Sequence, residues 1–511
     1  MTPKLRRIVI VLLLLAVSWA WTQRHSGGNA GNPLTATAAA PDQMQLGSLH
    51  FKPCAIGKRA GTPTLPAYCT SLAVPENRTE PSGRRIVLKI AVLRAETEQA
   101  EADLVVFLDG GPGGAATEDY PAIAGAFEPL RKRHAVLLID QRGTGGSNAL
   151  DCGTADDADA EMHHSDVRGA MLQRVRDCVA MLAPRAAPQF YATSDALEDL
   201  ETVRRALGSP PLDLIGLSYG TRMAQQYARR YPQAVRAIVL DSAVPNGLAL
   251  GAEHARNLET EIRGLFARCR ADRSCGERFG DSYQTLQRVR ARLRAQPQRL
   301  ELRNPYTFRI EPRTITVEVL AGLVRLYAYS PYSAALLPYV LKEADAGHYA
   351  PLLGQAQVAI GDVEEHLSGG MGLSVACAED ADRLQVNPDD ADSVLGNSLI
   401  EQLLTVCPVW PHGARPADFG APLRGAVPVL VLAGEHDPVT PSRYGQSIVR
   451  TLPLGRLLLV TGQGHGLLSV GCMPRLVSEF IRTLDAASLN THCLDVLAQT
   501  PPFMDANGAQ P

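Results

Sequence analysis

The feature that most constrains this chain is an alternation of short apolar runs with longer amphipathic stretches from Arg85 onwards. Short apolar runs are typical of buried parallel strands, and the amphipathic stretches between them are typical of helices that cover a sheet. The pattern therefore predicts an α/β protein with a mostly parallel core sheet, whose ligands bind at the carboxyl ends of the strands. The predicted strands are Ile86–Leu93, Leu104–Leu108, Ala135–Ile139, Leu212–Leu217, Ala237–Leu240, Val427–Leu432 and Arg456–Val460.

A long insertion separates two of these strands, between Leu240 and Val427. Its sequence pattern predicts mainly helices, at Ala255–Arg270, Tyr283–Ala295, Val317–Tyr329 and Ser333–Ala346. We expect an insertion at this place to form a cap over the active edge of the sheet. The predicted organisation is a core in two parts (residues 41–247 and 425–495), a mainly helical cap (248–424) and a flexible tail (496–511).

The N-terminus predicts export. Lys4, Arg6 and Arg7 precede an apolar run from Ile8 to Trp21, followed by small and polar residues. The run is shorter than the roughly 20 residues that span a bilayer, and the order of basic, apolar and small residues is typical of a secretory signal. Residues 1–40 are thus predicted to be a signal peptide with a disordered leader, and the alternative is an uncleaved N-terminal anchor. We expect a periplasmic or extracellular location, with no stable membrane partner beyond the signal.

Composition excludes several other classes of protein. The 50 basic and 53 acidic residues give a formal net charge of −3, without the basic footprint of a nucleic-acid-binding protein. The ten cysteines indicate an oxidising compartment. Because no C-x-x-C or H-E-x-x-H pattern occurs, neither a metal site nor a cofactor is predicted.

A nucleophile is predicted at Ser218. The segment Gly216-Leu-Ser-Tyr-Gly220 lies between a predicted strand and an amphipathic helix, as a G-x-S-x-G nucleophile elbow does. The start of that helix would direct free N–H groups towards a developing oxyanion. The competing interpretation is an ordinary glycine-containing turn between a strand and a helix.

Serine needs a base, and two later segments offer its partners. Asp437 follows one predicted strand, and His465 lies between Gly464 and Gly466 after the next. The chain order Ser, Asp, His is that of α/β-hydrolase triads. Asp241, which follows its own strand, is the alternative acid.

A glycine-rich loop, Gly110–Gly114, follows another strand and is the predicted oxyanion hole. We expect one donor from Gly111 and the second from the N–H of Tyr219. A phosphate-binding loop is the competing interpretation, but the loop lacks both the Walker and the dinucleotide-binding spacing.

Five motifs in one order resemble the proline iminopeptidase and tripeptidyl aminopeptidase family of α/β-hydrolases. They are Gly110-Gly-Pro-Gly-Gly114, Asp140-Gln-Arg-Gly-Thr-Gly-Gly-Ser147, Gly216-Leu-Ser-Tyr-Gly220, Gly434-Glu-His-Asp437 and Gly464-His-Gly466. The exported tripeptidyl aminopeptidases match better because of the signal, the insertion and the cysteines. The resemblance implies a metal-free serine peptidase that removes short peptides, tripeptides above all, or single residues from free N-termini. It departs at Asp109, where proline iminopeptidases carry His, and this weakens the proline-specific interpretation.

An aminopeptidase must bind the α-ammonium group of its substrate, which calls for carboxylates at a fixed distance from the nucleophile. The candidates lie near the end of the insertion: Glu379 and Asp380, in a segment that resembles the family's Cys-x-x-Asp, and the pair Glu364 and Glu365. The competing interpretation is that these are ordinary surface acids.

Chain order suggests which cysteines are partners, although spacing alone does not fix connectivity. The suggested pairs are Cys54–Cys69, Cys152–Cys178, Cys269–Cys275, Cys377–Cys407 and Cys472–Cys493.

Two rival functions remain open. One is an esterase or lipase that uses the same triad on acyl esters, and the other is a non-catalytic binding protein on a hydrolase fold. Cleavage of peptides with free rather than acetylated N-termini separates the peptidase from the first rival, and labelling of Ser218 by a fluorophosphonate separates it from the second.

Overall fold

The computed structural model describes residues 43–57, 63–97, 100–152, 167–304, 308–505 and 507–509. Residues 45–511 form one compact unit. The strands in the described ranges are β1 (Met44–Leu46), β2 (Leu49–Ile56), β3 (Leu65–Pro75), β4 (Arg85–Leu93), β5 (Leu104–Leu108), β6 (Ala135–Ile139), β7 (Leu212–Leu217), β8 (Val235–Asp241), β9 (Gln298–Arg303), β10 (Ile310–Ile315), β11 (Val429–Gly434) and β12 (Gly455–Val460). All of these except β9 and β10 belong to a single sheet, in the order β1-β2-β3-β4-β6-β5-β7-β8-β11-β12.

The part of the sheet from β6 to β12 is parallel, and it aligns the carboxyl ends of its strands. Leu217 at the end of β7 lies opposite Asp241 of β8, and Asp241 lies opposite Leu432 of β11. Loops that follow these strands therefore meet at one edge, as the apolar runs predicted. The predicted α/β fold class, a core sheet with a helical insertion, is confirmed.

Helices cover the sheet and build the insertion. They are α1 (Ala116–Arg131), α2 (Val167–Leu182), α3 (Thr193–Ala206), α4 (Tyr219–Arg230), α5 (His254–Ala271), α6 (Arg273–Phe279), α7 (Ser282–Ala295), α8 (Val317–Tyr327), α9 (Pro331–Ala334), α10 (Leu337–Asp345), α11 (Ala350–His366), α12 (Gly369–Glu379), α13 (Ser398–Val406), α14 (Ser442–Val449) and α15 (Met473–Thr483). The buried face of α15 packs with α1 against the core strands, through Leu476, Phe480 and Phe127.

The insertion runs from the end of β8 to the start of β11 and has its own apolar core. Leu258, Leu286, Leu323 and Leu341 bring α5, α7, α8 and α10 together there. Because β8 and β11 are hydrogen-bonded neighbours, the chain leaves and re-enters the sheet at adjacent positions. We call this insertion the cap.

Two details of the cap differ from the sequence prediction. The antiparallel pair β9 and β10 was not predicted, because its residues alternate between partly buried and exposed and give no apolar run. The predicted helix Ser333–Ala346 is divided into α9 and α10, since Pro338 lies in the first turn of α10, where proline is favoured.

The strands β1 to β3 also escaped prediction. In β2 the buried side chains of Leu49, Phe51 and Ile56 are separated by exposed and partly buried residues, and β3 mixes buried, partly buried and exposed positions. Such a half-buried pattern gives a weaker signal than the continuous apolar runs of the parallel strands.

Within the predicted flexible tail (496–511), residues 499–504 pack against the rest of the protein. The backbone N–H of Phe503 donates to the carbonyl of Ala335 over 3.0 Å, and the Gln499 amide lies 3.1 Å from Nε2 of His436. Met504 is buried beside the disulfide Cys269–Cys275. These contacts attach residues 499–504 to both the cap and the turn before Asp437.

The five disulfides of the structure join the same pairs that chain order suggests: Cys54–Cys69, Cys152–Cys178, Cys269–Cys275, Cys377–Cys407 and Cys472–Cys493. Their Cα–Cα distances, between 5.0 and 6.2 Å, lie in the range that a disulfide spans. Each bond closes a loop within the cap or within one part of the core.

The predicted signal and leader, residues 1–40, lie outside the described residues. Within the described ranges, none of the helices has the length and apolar character needed to cross a membrane.

Candidate active site

Ser218 occupies a strained turn between β7 and α4. Its φ of 54° and ψ of −117° place a non-glycine residue in a region that L-amino acids rarely adopt. The turn needs glycine on both sides, because a Cβ atom on Gly216 would lie 2.5 Å from the Gly220 carbonyl oxygen, and one on Gly220 would overlap the backbone of Leu108. This geometry is that of a nucleophile elbow, which presents the serine hydroxyl above the sheet edge.

The imidazole of His465 is bound by Asp437. Nδ1 of His465 lies 2.9 Å from Oδ2 of Asp437, while the N–H groups of Val439 and Thr440 each donate to Oδ1 over 2.8 Å. The Thr440 hydroxyl donates to Oδ2 over 2.6 Å. Because a carboxylate only accepts, Nδ1 carries the proton and the lone pair of the neutral ring is on Nε2.

The charges of this pair stabilise each other. Burial would raise the pKa of Asp437, but the charge and hydrogen bond of His465 and the bonds from Thr440 lower it to about 2. Burial would likewise lower the pKa of His465, yet the charge and hydrogen bond of Asp437 raise it above its usual value. At neutral pH Asp437 is therefore an anion that orients the imidazole and stabilises its protonated form.

Asp241, the alternative acid, has a different position. Its side chain accepts hydrogen bonds from the backbone N–H groups of Leu467 and Leu468, at 2.7 and 2.9 Å, and its carbonyl accepts one from Ser218 over 2.9 Å. Asp241 thus connects the turn of the serine with the loop of the histidine. It is Asp437 that contacts the ring of His465.

The glycine-rich loop Gly110–Gly114 follows β5 and contacts the serine turn. A Cβ atom on Gly110 would lie 3.4 Å from Cβ of Ser218. Tyr219 is the first residue of α4, where backbone N–H groups have no acceptor within the helix. The glycine-rich loop that contains Gly111 thus lies against the serine turn, and Tyr219 directly follows Ser218.

Asp109, where the sequence departs from the proline iminopeptidases, is buried beneath this loop. Its Oδ1 accepts the N–H of Gly110 over 2.7 Å. Burial, followed by the charge of Asp119, raises its pKa well above the usual range. Through this hydrogen bond the carboxyl of Asp109 supports the start of the glycine-rich loop.

The predicted ammonium ligands Glu379 and Asp380 are not open to a substrate. Their side chains are 1% and 0% exposed, and both pair with Arg222 of α4, at 3.2 and 2.9 Å. Glu379 also accepts the N–H of Thr193, and Asp380 pairs with Arg383. The expectation that they bind a substrate amine is corrected: both acids are occupied by Arg222 and join the cap to the helix that follows Ser218.

The other predicted pair, Glu364 and Glu365, lies in the last turn of α11, but their side chains fall outside the described part of the structure. The chain just after them contacts the glycine-rich loop. Cδ2 of Leu367 lies 3.2 Å from where a Cβ atom of Gly111 would be, and the N–H of Ser368 donates to the carbonyl of Gly113 over 3.1 Å.

Two cap residues near the histidine were missed by sequence reasoning. The carbonyl of Tyr329 accepts the backbone N–H of His465 over 2.8 Å, and the two rings meet edge to face with centroids 5.0 Å apart. His254, at the start of α5, is buried near the charges of Asp437 and His465, and burial lowers its pKa to about 3. Neither residue has a motif around it, so no sequence signal marks them.

One cluster in the described residues has the composition of a metal site. Ligand atoms of Asp103, His134 and Asp213 lie within 4.8 Å of one another. Arg236 already pairs with both carboxylates, at 2.9 and 2.5 Å, so its charge fulfils the role that an ion would have. The cluster lies at the amino ends of the parallel strands, away from Ser218.

A serine in a strained strand–helix turn, together with an aspartate-bound histidine whose loop Asp241 connects to that turn, is the arrangement found in serine hydrolases with an α/β sheet. The chain belongs to the alpha/beta hydrolase fold family, whose sequence pattern matches residues 103–471.

Curated relatives cover most of the chain. The serine protease Hip1 of Mycobacterium tuberculosis is 26% identical over 452 residues, which cover 81% of this chain and 85% of that protein. A tripeptidyl aminopeptidase of Streptomyces lividans is 22% identical and covers 78% of each chain. Carboxylesterase B of M. tuberculosis is 27% identical, over 76% of this chain and 78% of its own. These relatives share the hydrolase class, and two of the three names are those of peptidases.

Proposed function

We propose that this protein is an exported serine aminopeptidase that releases short peptides, tripeptides above all, from free N-termini through an acyl-enzyme. The proposal depends above all on the 2.9 Å contact between Nδ1 of His465 and Oδ2 of Asp437. Asp241 connects the loop that carries His465 to the turn of Ser218. The names of the peptidase relatives support the choice of peptides as substrates.

In the proposed mechanism Ser218 attacks the scissile carbonyl while Nε2 of His465 accepts its proton. The oxyanion receives hydrogen bonds from the N–H groups of Gly111 and Tyr219. Protonated His465, stabilised by Asp437, then donates that proton to the leaving amine. Water enters, His465 accepts its proton, and collapse of the second tetrahedral intermediate frees the peptide and restores Ser218.

For the substrate ammonium we propose Glu364 and Glu365. The contact of the Leu367 side chain with the glycine-rich loop supports this choice, because the turn of α11 that carries the two acids directly precedes Leu367. With Glu379 and Asp380 paired to Arg222, this is the remaining predicted carboxylate pair of the cap.

Export is part of the proposal. Five disulfides support an oxidising compartment, and residues 1–40 carry the sequence pattern of a secretory signal. We also propose that the core has two parts, residues 41–247 and 425–495, and that residues 248–424 form the cap. Residues 499–504 pack against this folded body.

The nucleophile is tested with Ser218→Ala, which is expected to abolish turnover and fluorophosphonate labelling while leaving thermal unfolding unchanged. Ser398→Ala, at an exposed serine of the cap, is the matched control and is expected to behave as wild type. Labelled Ser218→Ala protein or wild-type turnover by that variant would disprove the assignment. Failure of the wild type to label would instead favour the non-catalytic binding protein.

Substrate class is tested with reporter peptides of one, two and three residues, each with a free or an acetylated N-terminus. The proposal expects cleavage of the free tripeptide and at least about tenfold lower kcat/KM for its acetylated form, since a charge-assisted contact is lost. Glu364→Gln and Glu365→Gln should remove that preference without changing hydrolysis of p-nitrophenyl acetate, which has no amine. Equal cleavage of free and blocked peptides, with faster ester hydrolysis, would favour the esterase.

A further inference from the structure

A cavity of about 340 Å³ lies behind the turns that carry Asp437 and His465. It is enclosed by α5, by the segment of the cap around α9 and by residues 499–502 at the end of the chain. Its volume falls in the range of roughly 300–1,000 Å³ that is usual for small-molecule sites. Ser218, the glycine-rich loop, Asp437 and His465 are not among the residues that line it.

The walls of the cavity are mainly apolar. They comprise Ile262, Leu265, Ala328, Ala334, Pro338 and the Cys269 disulfide. An occupant must therefore bring an apolar portion of its own, whose burial would supply most of the binding free energy.

The acids of the cavity are already engaged. Glu261 pairs with His436, Oε2 to Nδ1 over 3.3 Å, and Nε2 of His436 contacts the amide of Gln499. The Asp272 carboxylate accepts the N–H of Cys275 and the hydroxyl of Ser274, each over 2.8 Å. Neither acid pairs with the nearby cation of the cavity.

That cation is Arg268, whose guanidinium has no hydrogen bond or ion pair within the described part of the chain. Its guanidinium lies back over the helix, where a Cβ atom on Gly264 would be 3.2 Å from Nη1. Burial lowers the pKa of Arg268, although the charges of Glu261 and Glu435 oppose the shift. A half-buried cation in an apolar cavity lacks the partner that such charges have in most proteins.

We propose that this cavity binds a small molecule with one carboxylate on an apolar chain, the carboxylate pairing with Arg268. Two sources share that chemistry, a free fatty acid and the C-terminus of a short apolar peptide. The site is separate from the catalytic residues. Residues 499–502 form one side of the cavity, and the N–H of the following Phe503 donates a hydrogen bond to the carbonyl of Ala335, which also lines it.

The test is calorimetric titration of the full chain carrying Ser218→Ala, with octanoate as the probe. Octanoate is expected to bind at one site, while octanamide of the same shape binds at least about tenfold more weakly because it lacks the charge. Arg268→Gln should weaken octanoate by a similar factor. The matched control Arg273→Gln, at an exposed arginine paired with Glu277, should not.

Two further arms make the outcome decisive. Ala334→Leu narrows the cavity and should weaken octanoate without removing the cation, so it tests the site even if Arg268→Gln proves unstable. Wild-type protein blocked at Ser218 by a fluorophosphonate should still bind octanoate, whereas loss of binding would place the probe in the catalytic site and overturn the proposal.

The source is distinguished by trileucine and its C-terminal amide, titrated in the same way. Binding of trileucine that depends on Arg268 indicates a peptide ligand, and binding of octanoate alone indicates a fatty acid. If neither probe binds, or if both bind Arg268→Gln as well as wild type, the proposal is wrong. The titrations of Ser218→Ala protein need neither turnover nor a reaction at Ser218, so their failure is independent of the aminopeptidase proposal.

Discussion

Substitution of Gly464 by alanine tests how the cap positions the catalytic histidine. A Cβ atom at Gly464 would lie 2.2 Å from the carbonyl oxygen of Tyr329, whereas real Cβ contacts essentially never fall below 3.0 Å. That same oxygen accepts the backbone N–H of His465 over 2.8 Å. The methyl group must therefore displace the histidine loop from the cap by at least about 0.8 Å.

A misplacement of this size is expected to lower kcat/KM about 100-fold, because proton transfer depends on the reach of Nε2 to Ser218. The loss corresponds to about 2.7 kcal/mol in the transition state. The assay is tripeptide-reporter hydrolysis, together with the rate of fluorophosphonate labelling, which reports how well His465 activates Ser218 without requiring a peptide.

Gly125→Ala is the matched control, since nothing lies within 4 Å of a Cβ at that helical position. It should leave both rates unchanged and raise stability by up to about 1 kcal/mol. If Gly464→Ala protein melts like wild type and keeps turnover and labelling within threefold, then the contact between Tyr329 and His465 does not position the base, and the reasoning fails.

Three further predictions follow from the site and its surroundings. Asp437→Asn should reduce kcat by about 10⁴-fold. The Asp437 carboxylate raises the pKa of His465, whose neutral form is the proposed base, so the same substitution should move the acidic limb of the pH–rate profile to lower pH. An acidic limb that stays at the same pH would contradict this. Burial raises the pKa of Glu379 from 4.5 to about 7, so its contribution to stability is complete below pH 4.5 and is lost as the pH rises towards 7. The free energy of unfolding in urea should therefore fall between pH 5 and 8, and Glu379→Gln should make this fall smaller by about 2–3 kcal/mol. Replacing both Cys377 and Cys407 by alanine opens a loop with a sequence separation of 30 and should cost about 3–4 kcal/mol, and a loss below 1 kcal/mol would mean that the bond contributes little.

The parts of the molecule that sequence reasoning located depend on local patterns. The strand Leu104–Leu108 is a run of apolar side chains that are buried on both faces, and the structure has the same bounds. Ser218 and His465 have glycines beside them because the backbone approaches other segments closely there. Patterns of this kind involve only a few consecutive residues, so a single sequence is enough to find them.

The parts that escaped prediction depend on partners far apart in the chain. In the sequence, Glu379 cannot be distinguished from a surface acid. In the structure it is buried and pairs with Arg222, which lies 157 positions away in the chain. Tyr329 matters through its backbone carbonyl, which every residue type possesses. The buried end of the chain likewise depends on Ala335, which nothing near Phe503 predicts.

The connectivity of the disulfides has a consequence for how the chain matures. The ten cysteines form five pairs of consecutive cysteines along the sequence, from Cys54–Cys69 to Cys472–Cys493. A polypeptide that enters an oxidising space from its N-terminus can therefore close each bond as soon as the second thiol emerges, and no thiol has to wait for a distant partner. Oxidation in order of arrival would give this set of bonds directly, without reshuffling by an isomerase.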